Sequence, residues 1–183
     1  MKKSNIFLIK WYGPFSTVDD LKDWEEKREE VFNLYAFQAK QNKKSKYYCG
    51  MAFRQTVGKR LKNTNHHIHN FENKGKTVLQ IWIGAIANIK AKETDVRICE
   101  NIITSVLAKI SVGEKDLENK TNKIPPINNA YIINEWWKSI EEEEIKKRIR
   151  GSIPAIIPEV MEYYSVPKSL YGIDRLIYKG DLN

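Results

Sequence analysis

Four polar side chains in the first hundred residues have types that suit phosphate chemistry: Tyr35, Tyr48, Arg60 and Glu100. A guanidinium matches the geometry of a phosphate group, which makes Arg60 a candidate phosphate ligand. A single carboxylate such as Glu100 is a sufficient protein ligand for Mg²⁺, because this ion takes its other ligands from water and substrate phosphate oxygens. The set therefore indicates a site that binds a phosphate group beside a divalent cation.

The two tyrosines need a particular environment to take part in such chemistry. A phenol has an unperturbed pKa of roughly 10, so it is a poor base at neutral pH. Nearby positive charge lowers the pKa of a phenol, and the segment around Tyr35 is rich in basic residues. We therefore expect a lowered pKa at Tyr35. The alternative for both tyrosines is ordinary packing in a hairpin, with the hydroxyl at the surface.

The positive charge of the chain is concentrated in one segment. The 183 residues include 31 basic and 23 acidic residues, which gives a formal net charge of +8. No acidic residue lies between Glu30 and Glu72, whereas eight basic residues do, so the rest of the chain is neutral. Such a segment attracts a polyanion, and binding releases the counterions of the polyanion. The candidate nucleic-acid contacts are Lys43, Lys44, Lys46, Lys59 and Lys62.

The elements that must position these residues follow from the hydrophobic pattern. It predicts a strand at 5–12, a helix at 17–30 and a β-hairpin at 31–53. It then predicts a short helix at 56–64, a buried strand at 78–87 and a long helix at 93–110. The hairpin would carry both tyrosines, the short helix Arg60 and the long helix Glu100. At 100° per residue, Glu100 lies roughly 80° from the centre of the apolar stripe, at the edge of the core. An ordinary boundary glutamate fits the same position.

The last third of the chain gives a weaker pattern. A polar stretch at 113–130 predicts a loop. A second long helix is predicted over 134–149, where glutamates are followed by basic residues at the i,i+4 spacing of helical ion pairs, and a short helix near 158–165. We expect one α/β (α+β) unit with an N-terminal addition at 1–30, a core at 31–130 and a C-terminal helical or irregular addition at 131–183.

The candidate residues occur within four short segments, which are Asn33-Leu34-Tyr35, Tyr48-Cys49-Gly50, Gly58-Lys59-Arg60-Leu61 and Cys99-Glu100-Asn101-Ile102-Ile103. In composition and order these segments resemble the motifs of the GIY-YIG endonuclease family, over residues 31–130. The resemblance implies a central three-stranded mixed sheet flanked by helices. It also implies that Tyr35 is the general base, that Tyr48 supports the site, that Arg60 corresponds to the family's arginine, and that Glu100 binds a single Mg²⁺ or Mn²⁺ ion.

Several positions depart from the family pattern or leave two candidates. The first motif has Asn33 in place of glycine, and the second has Cys49 in place of a branched residue. Many members carry a histidine one turn after the arginine, where this chain has Thr64. The candidates for that histidine are His66, His67 and His69. Arg54 is a rival of Arg60 for the family's arginine. The later asparagine of the family corresponds to Asn128 or Asn129.

We expect a divalent-metal-dependent endonuclease that hydrolyses double-stranded DNA, of the restriction or mobile-element type. The longest apolar stretch, Val78–Ile89, is too short to span a membrane, and two cysteines give no disulfide framework, so a soluble cytoplasmic protein is expected. The additions at both ends would supply specificity or homodimer contacts. The alternatives are a catalytically inactive nucleic-acid-binding module with the same fold, and an RNA-binding or RNA-processing protein.

Overall fold

The computed structural model describes residues 5–41, 44–72, 77–108, 112, 115–119, 129–163 and 175–177. Its strands are β1 (Asn5–Phe15), β2 (Leu34–Gln41), β3 (Lys44–Met51), β4 (Thr77–Ile86), β5 (Ala130–Lys138), β6 (Val160–Tyr163) and β7 (Arg175–Ile177). Its helices are α1 (Val18–Glu25), α2 (Val57–Leu61), α3 (His69–Glu72), α4 (Glu93–Val106) and α5 (Ile153–Ile156). The α+β class is as predicted. None of the helices in the described ranges is long and apolar enough to cross a membrane.

The described strands form one mixed sheet in the order β3-β2-β4-β1-β5-β6-β7. Only β1 and β5 run parallel; the other neighbours are antiparallel. The strands expected to form a three-stranded sheet, β3, β2 and β4, are neighbours at one end of this wider sheet. The N-terminal strand β1 lies in the middle, where it pairs with β4 along one edge and with β5 along the other.

The predicted hairpin is formed by β2 and β3. In its register Tyr35 lies opposite Gly50, and Phe37 lies opposite Tyr48. Alternate residues of a strand point to the same face, so Tyr35, Phe37 and Tyr48 share one face of the sheet. The register therefore brings the two tyrosines onto neighbouring strands, diagonally across from each other.

The two faces of the sheet are covered by different helices. On one face, Leu34 and Ala36 of β2 belong to a buried cluster with the apolar stripe of α4. On the other face, Tyr35 and Phe37 belong to a second cluster with residues of α1, α2 and the turn before α3, including Leu21, Leu61 and Ile68. The local pattern of the α4 stripe correctly predicted this helix. The clusters fix α2 and α4 on opposite sides of the hairpin.

The predicted helix over 134–149 is wrong. Residues Ala130–Lys138 form β5, in which buried and less buried side chains alternate with the period of a strand. The chain then turns, with Glu142 at φ 55°, so the helical ion pairs expected after it do not form. The short helix predicted near 158–165 is also wrong, because Val160–Tyr163 pairs with β5 as β6. The C-terminal addition therefore extends the sheet.

Candidate active site

The four residues selected from the sequence line one cavity of about 490 Å³. They come from four elements, β2, β3, α2 and α4. The phenols lie on the face that α2 covers, whereas Glu100 comes from the helix on the opposite face. Since β3 is the edge strand, the cavity lies where both faces can be reached. The remaining lining residues are Met51, Phe53, Arg54, Gln55, Glu93 and Arg97.

Gly50 makes room for the two tyrosine rings. The rings of Tyr35 and Tyr48 are stacked, with centroids 5.9 Å apart and an interplanar angle of 14°. A Cβ atom at Gly50 would lie 2.5 Å from both Cζ and Oη of Tyr35, and 2.8 Å from Cε1 of Tyr48. No carbon atom can approach so closely without displacing a ring. The glycine of this segment is therefore a steric requirement of the site.

His66 fixes the hydroxyl of Tyr35. Its Nε2 lies 2.8 Å from Tyr35 Oη, and its Nδ1 accepts the backbone N–H of Ile68 at 3.1 Å. Because a backbone amide can only donate, Nδ1 is unprotonated and the proton of the neutral imidazole is on Nε2. Burial, with a further contribution from Arg60, lowers the pKa of His66 to about 4. His66 is therefore neutral at pH 7 and donates to Tyr35.

The expected lowering of the pKa of Tyr35 is wrong. This side chain is completely buried, and burial raises its pKa, with a further increase from Tyr48. The charge of Arg60 acts in the opposite direction but is the smaller effect. Burial also raises the pKa of Tyr48, against a hydrogen bond from Tyr35 and with an added contribution from Glu100. Both phenols therefore keep their protons at neutral pH.

Arg60 is positioned by a contact between α1 and α2. The buried carboxylate of Glu25 accepts the backbone N–H groups of Val57 and Gly58, both at 2.8 Å, at the start of α2. Arg60 follows within the same short helix and is half-buried beside the phenols and His66. The rival Arg54 also lines the cavity, but it is exposed and lies in the left-handed region at φ 62°. Both arginines reach the cavity, and Arg60 is the one beside the tyrosines.

Glu100 is the buried carboxylate of the cavity. The other carboxylate, Glu93, is ion-paired with Arg97 at 3.0 Å on the same helix. Within the described parts of the chain, no group of three or more His, Cys, Asp or Glu side chains could hold a metal ion. This donor set does not fit zinc, which takes three or four protein ligands. It fits Mg²⁺ or Mn²⁺ held by Glu100, with water and phosphate oxygens as the other ligands.

The remaining predicted residues are spread more widely. His67 lies with its ring centroid 5.5 Å from that of Tyr48 and lines a neighbouring cavity with His66. His69 donates from Nε2 to the backbone oxygen of Asn63 at 2.9 Å and is not a lining residue of either cavity. Asn129 precedes β5, where its backbone oxygen accepts from Asn5 at 3.1 Å, away from the cavity. Asn128 and Lys43 lie outside the described residues.

The lysines predicted to contact nucleic acid differ in their exposure and in their ion pairs. Lys62 is ion-paired with Asp19 at 2.5 Å, and Lys46 donates to the backbone oxygen of Lys115 at 2.7 Å. Lys44 and Lys59 are exposed. None of these four lines the cavity of the tyrosines. All four lie on the hairpin or at α2, outside the site, and two of them have acidic partners, Glu118 for Lys46 and Asp19 for Lys62.

Asn119 is a buried residue near the site that the sequence did not single out. Its Oδ1 accepts the backbone N–H of Cys49 at 3.0 Å, and its Nδ2 donates to the Cys49 oxygen at 2.6 Å. Cys49 lies between Tyr48 and Gly50, so these bonds hold the backbone of β3 at the cavity. The asparagine falls in a polar stretch predicted as loop, and no local pattern marks it.

No protein-family model, curated protein or solved structure matches the chain.

Proposed function

We propose that the chain is a divalent-metal-dependent endonuclease that hydrolyses phosphodiester bonds in DNA, with β3, β2 and β4 as a GIY-YIG-like core. The observation that carries the proposal is the single cavity shared by Tyr35, Tyr48, Arg60 and Glu100. These residues are up to 65 positions apart in the sequence and come from four elements. Their convergence supports a common chemical role more strongly than any one of them does.

Hydrolysis adds water across a P–O bond. The water oxygen bonds to phosphorus, and the 3′-oxygen leaves with a proton. Arg60 would bind the non-bridging oxygens of the scissile phosphate, since a guanidinium donates two parallel hydrogen bonds to such a group. This binding orients the phosphate and stabilises the charge that develops on its oxygens.

The tyrosines serve as hydrogen-bond donors in this proposal. Their raised pKa values keep the protons on both oxygens at neutral pH. Tyr48 is half-buried and can donate to a phosphate oxygen, whereas Tyr35 is completely buried and acts by holding its neighbours in place. A general-base role for Tyr35, which the family resemblance implies, is opposed by the same burial.

Glu100 would hold the Mg²⁺ or Mn²⁺ ion. When bound, such an ion neutralises phosphate charge and activates water. The buried position of the carboxylate favours binding of a cation, because a carboxylate that is shielded from water interacts more strongly with a close opposite charge. The basic segment of the chain would attract the DNA backbone toward this site.

The test is nicking of supercoiled plasmid with Mg²⁺ or Mn²⁺ by the full chain and the variant Glu100→Gln. We expect the variant to nick at least roughly 100-fold more slowly, since removal of one group that stabilises transition-state charge has this size of effect. Glu93→Gln is the matched control, because Glu93 lines the same cavity from the same helix. It should retain nicking within about threefold, as expected for an exposed ion pair.

Three results would contradict the proposal in different ways. Equal nicking by Glu100→Gln and the unchanged chain would remove the site assignment. Tight binding of duplex DNA without any nicking would indicate a binding module that lacks catalysis. Stronger binding of structured RNA than of duplex DNA, measured at the same salt concentration, would indicate an RNA-binding protein.

A further inference from the structure

A second cavity, of about 270 Å³, lies beside the first. Its lining residues are Tyr48, Arg60, Asn63, Asn65, His66 and His67. Tyr48 and Arg60 line both cavities, so the two share a wall. The second cavity is formed mainly by the turn that follows α2.

The two cavities differ in their chemistry. Among the described residues that line the second one there is no carboxylate, whereas Glu93 and Glu100 line the first. The groups that the second cavity offers are a guanidinium, a phenol, an imidazole and two amides, all of which can donate hydrogen bonds. A cavity with one fixed positive charge and several donors fits an anion.

Hydrogen bonds within the turn hold these donors in place. The backbone oxygen of Asn63 accepts from the His66 backbone at 2.8 Å and from the His69 ring at 2.9 Å. The side-chain oxygen of Asn63 accepts from the backbone of Asn65 at 3.2 Å, which leaves the amino end of that amide for a ligand. Both ring nitrogens of His66 are already bonded, so His66 forms a wall and His67 is the ring that can donate.

We propose that the second cavity binds the phosphate next to the scissile phosphate on the same DNA strand. This inference rests on the proposed function, in which the first cavity holds the scissile phosphate beside the cation. A DNA strand carries a phosphate at every nucleotide, so a strand placed in the first cavity continues with another anion. Arg60 contacts both phosphates from the shared wall, and Asn63, Asn65 and His67 contact only the neighbouring one.

The experiment uses short DNA duplexes in which a single phosphate beside the cleaved bond is replaced by an uncharged methylphosphonate. For the unchanged chain, one of the two flanking replacements should slow cleavage about tenfold, the usual effect of losing a charge-assisted hydrogen bond. The double variant Asn65→Ala/His67→Ala should cleave unmodified DNA about tenfold more slowly and lose clearly less than the unchanged chain with the methylphosphonate, because both changes remove part of the same contact while Arg60 and Asn63 remain.

Lys59→Ala is the matched control. Lys59 is an exposed basic residue of α2 that lines neither cavity. Its loss should weaken DNA binding and leave the effect of the methylphosphonate unchanged at about tenfold. Thermal melting of each variant shows whether it is folded, and the exposed position of Asn65 makes unfolding an unexpected result.

The inference is overturned if the double variant keeps the full effect of the methylphosphonate, or if neither flanking replacement slows the unchanged chain. A chain that does not cleave DNA at all contradicts the proposed function instead. In that case the same duplexes are compared by equilibrium binding without divalent cation. A methylphosphonate effect that is present in the unchanged chain and clearly smaller in the double variant would still support an anion site in the second cavity.

Discussion

Two buried pairs of hydrogen-bonded side chains, with the same donor–acceptor distance, lie at different halves of the sheet. In the hairpin half, Tyr35 and His66 are joined at 2.8 Å. In the β1–β5 half, the indole of Trp11 donates to Asn134 Oδ1, also at 2.8 Å. All four side chains are buried. The first pair lies against a cavity, whereas the second is packed among apolar residues.

The surroundings give the two pairs different roles. Asn134 also donates to the backbone oxygen of Pro158 at 2.7 Å, and the ring of Trp11 stacks on Trp136 at 5.3 Å. That pair is closed and ties β1, β5 and the chain before β6 together. Tyr35 and His66 instead lie beside Arg60, whose charge alters the pKa of both. A buried polar pair thus stabilises the fold where it is enclosed by other side chains. Where it borders a charged cavity, it can also take part in binding a ligand.

The largest difference between the halves is expected from two glycines. Gly50→Ala places a Cβ 2.5 Å from Tyr35 Oη and should slow nicking at least roughly 100-fold by moving the phenol. Gly84→Ala places a Cβ 3.0 Å from the Trp11 ring and should cost about 1–3 kcal/mol of the free energy of unfolding, with nicking nearly unchanged. Nicking rates and urea unfolding measure both effects. Equal losses of nicking in the two variants would contradict the comparison.

Two conservative substitutions, one in each pair, distinguish an effect on nicking from an effect on stability. Tyr35→Phe removes the hydroxyl and keeps the ring, so nicking should fall about 10-fold while stability falls by only about 1 kcal/mol. Trp11→Phe leaves Asn134 Oδ1 without its donor and empties part of the core, which should cost about 3 kcal/mol. Its nicking rate per folded molecule should be unchanged. Loss of nicking in folded Trp11→Phe would show that the β1–β5 half also shapes the site.

The pH dependence of stability is a third difference between the two pairs. His66 has a pKa of about 4 in the folded chain and about 6.5 when unfolded, so the unfolded state takes up the proton first as the pH falls. Stability that is present above about pH 6.5 is lost as the pH falls toward 4, by about 2 kcal/mol between pH 7 and pH 5.

Urea unfolding of the unchanged chain and of His66→Gln at these two pH values tests this expectation. The variant should lose less stability on acidification. Asn134→Ala is the control from the other half, because Asn134 does not titrate, and it should keep the slope of the unchanged chain. A steep slope that persists in His66→Gln would assign the pH dependence to other groups.

The elements around the site were predictable because their patterns are local. The hairpin, α2, β4 and α4 all follow from hydrophobic periodicity within a few residues of their actual bounds. The strand β5 was not predictable in this way. Trp136 and Trp137 followed by a run of glutamates favoured a helix, whereas the strand depends on pairing with β1, more than 100 residues earlier. A local pattern cannot show a partner so far away in the sequence.

The site was predictable in its members but not in its electrostatics. The motif resemblance selected the residues that share the cavity. The direction of the pKa shift at Tyr35 depended on burial under α2 and α3, which composition does not reveal. Which of His66, His67 and His69 contacts Tyr35 likewise depended on the turn after α2, which directs Nε2 of His66 to the Tyr35 hydroxyl.

The amide of Asn119 has a consequence for association between chains. By bonding to both backbone groups of Cys49 it does the work of one residue of an adjoining strand, and Tyr47 is paired on either side of it with Asp116 and Glu118. Unpaired edge strands are the usual point at which a foreign strand adds to a sheet. At Tyr47–Cys49 that position is already filled from within the molecule, so a second copy of the chain cannot extend the sheet by pairing with these residues.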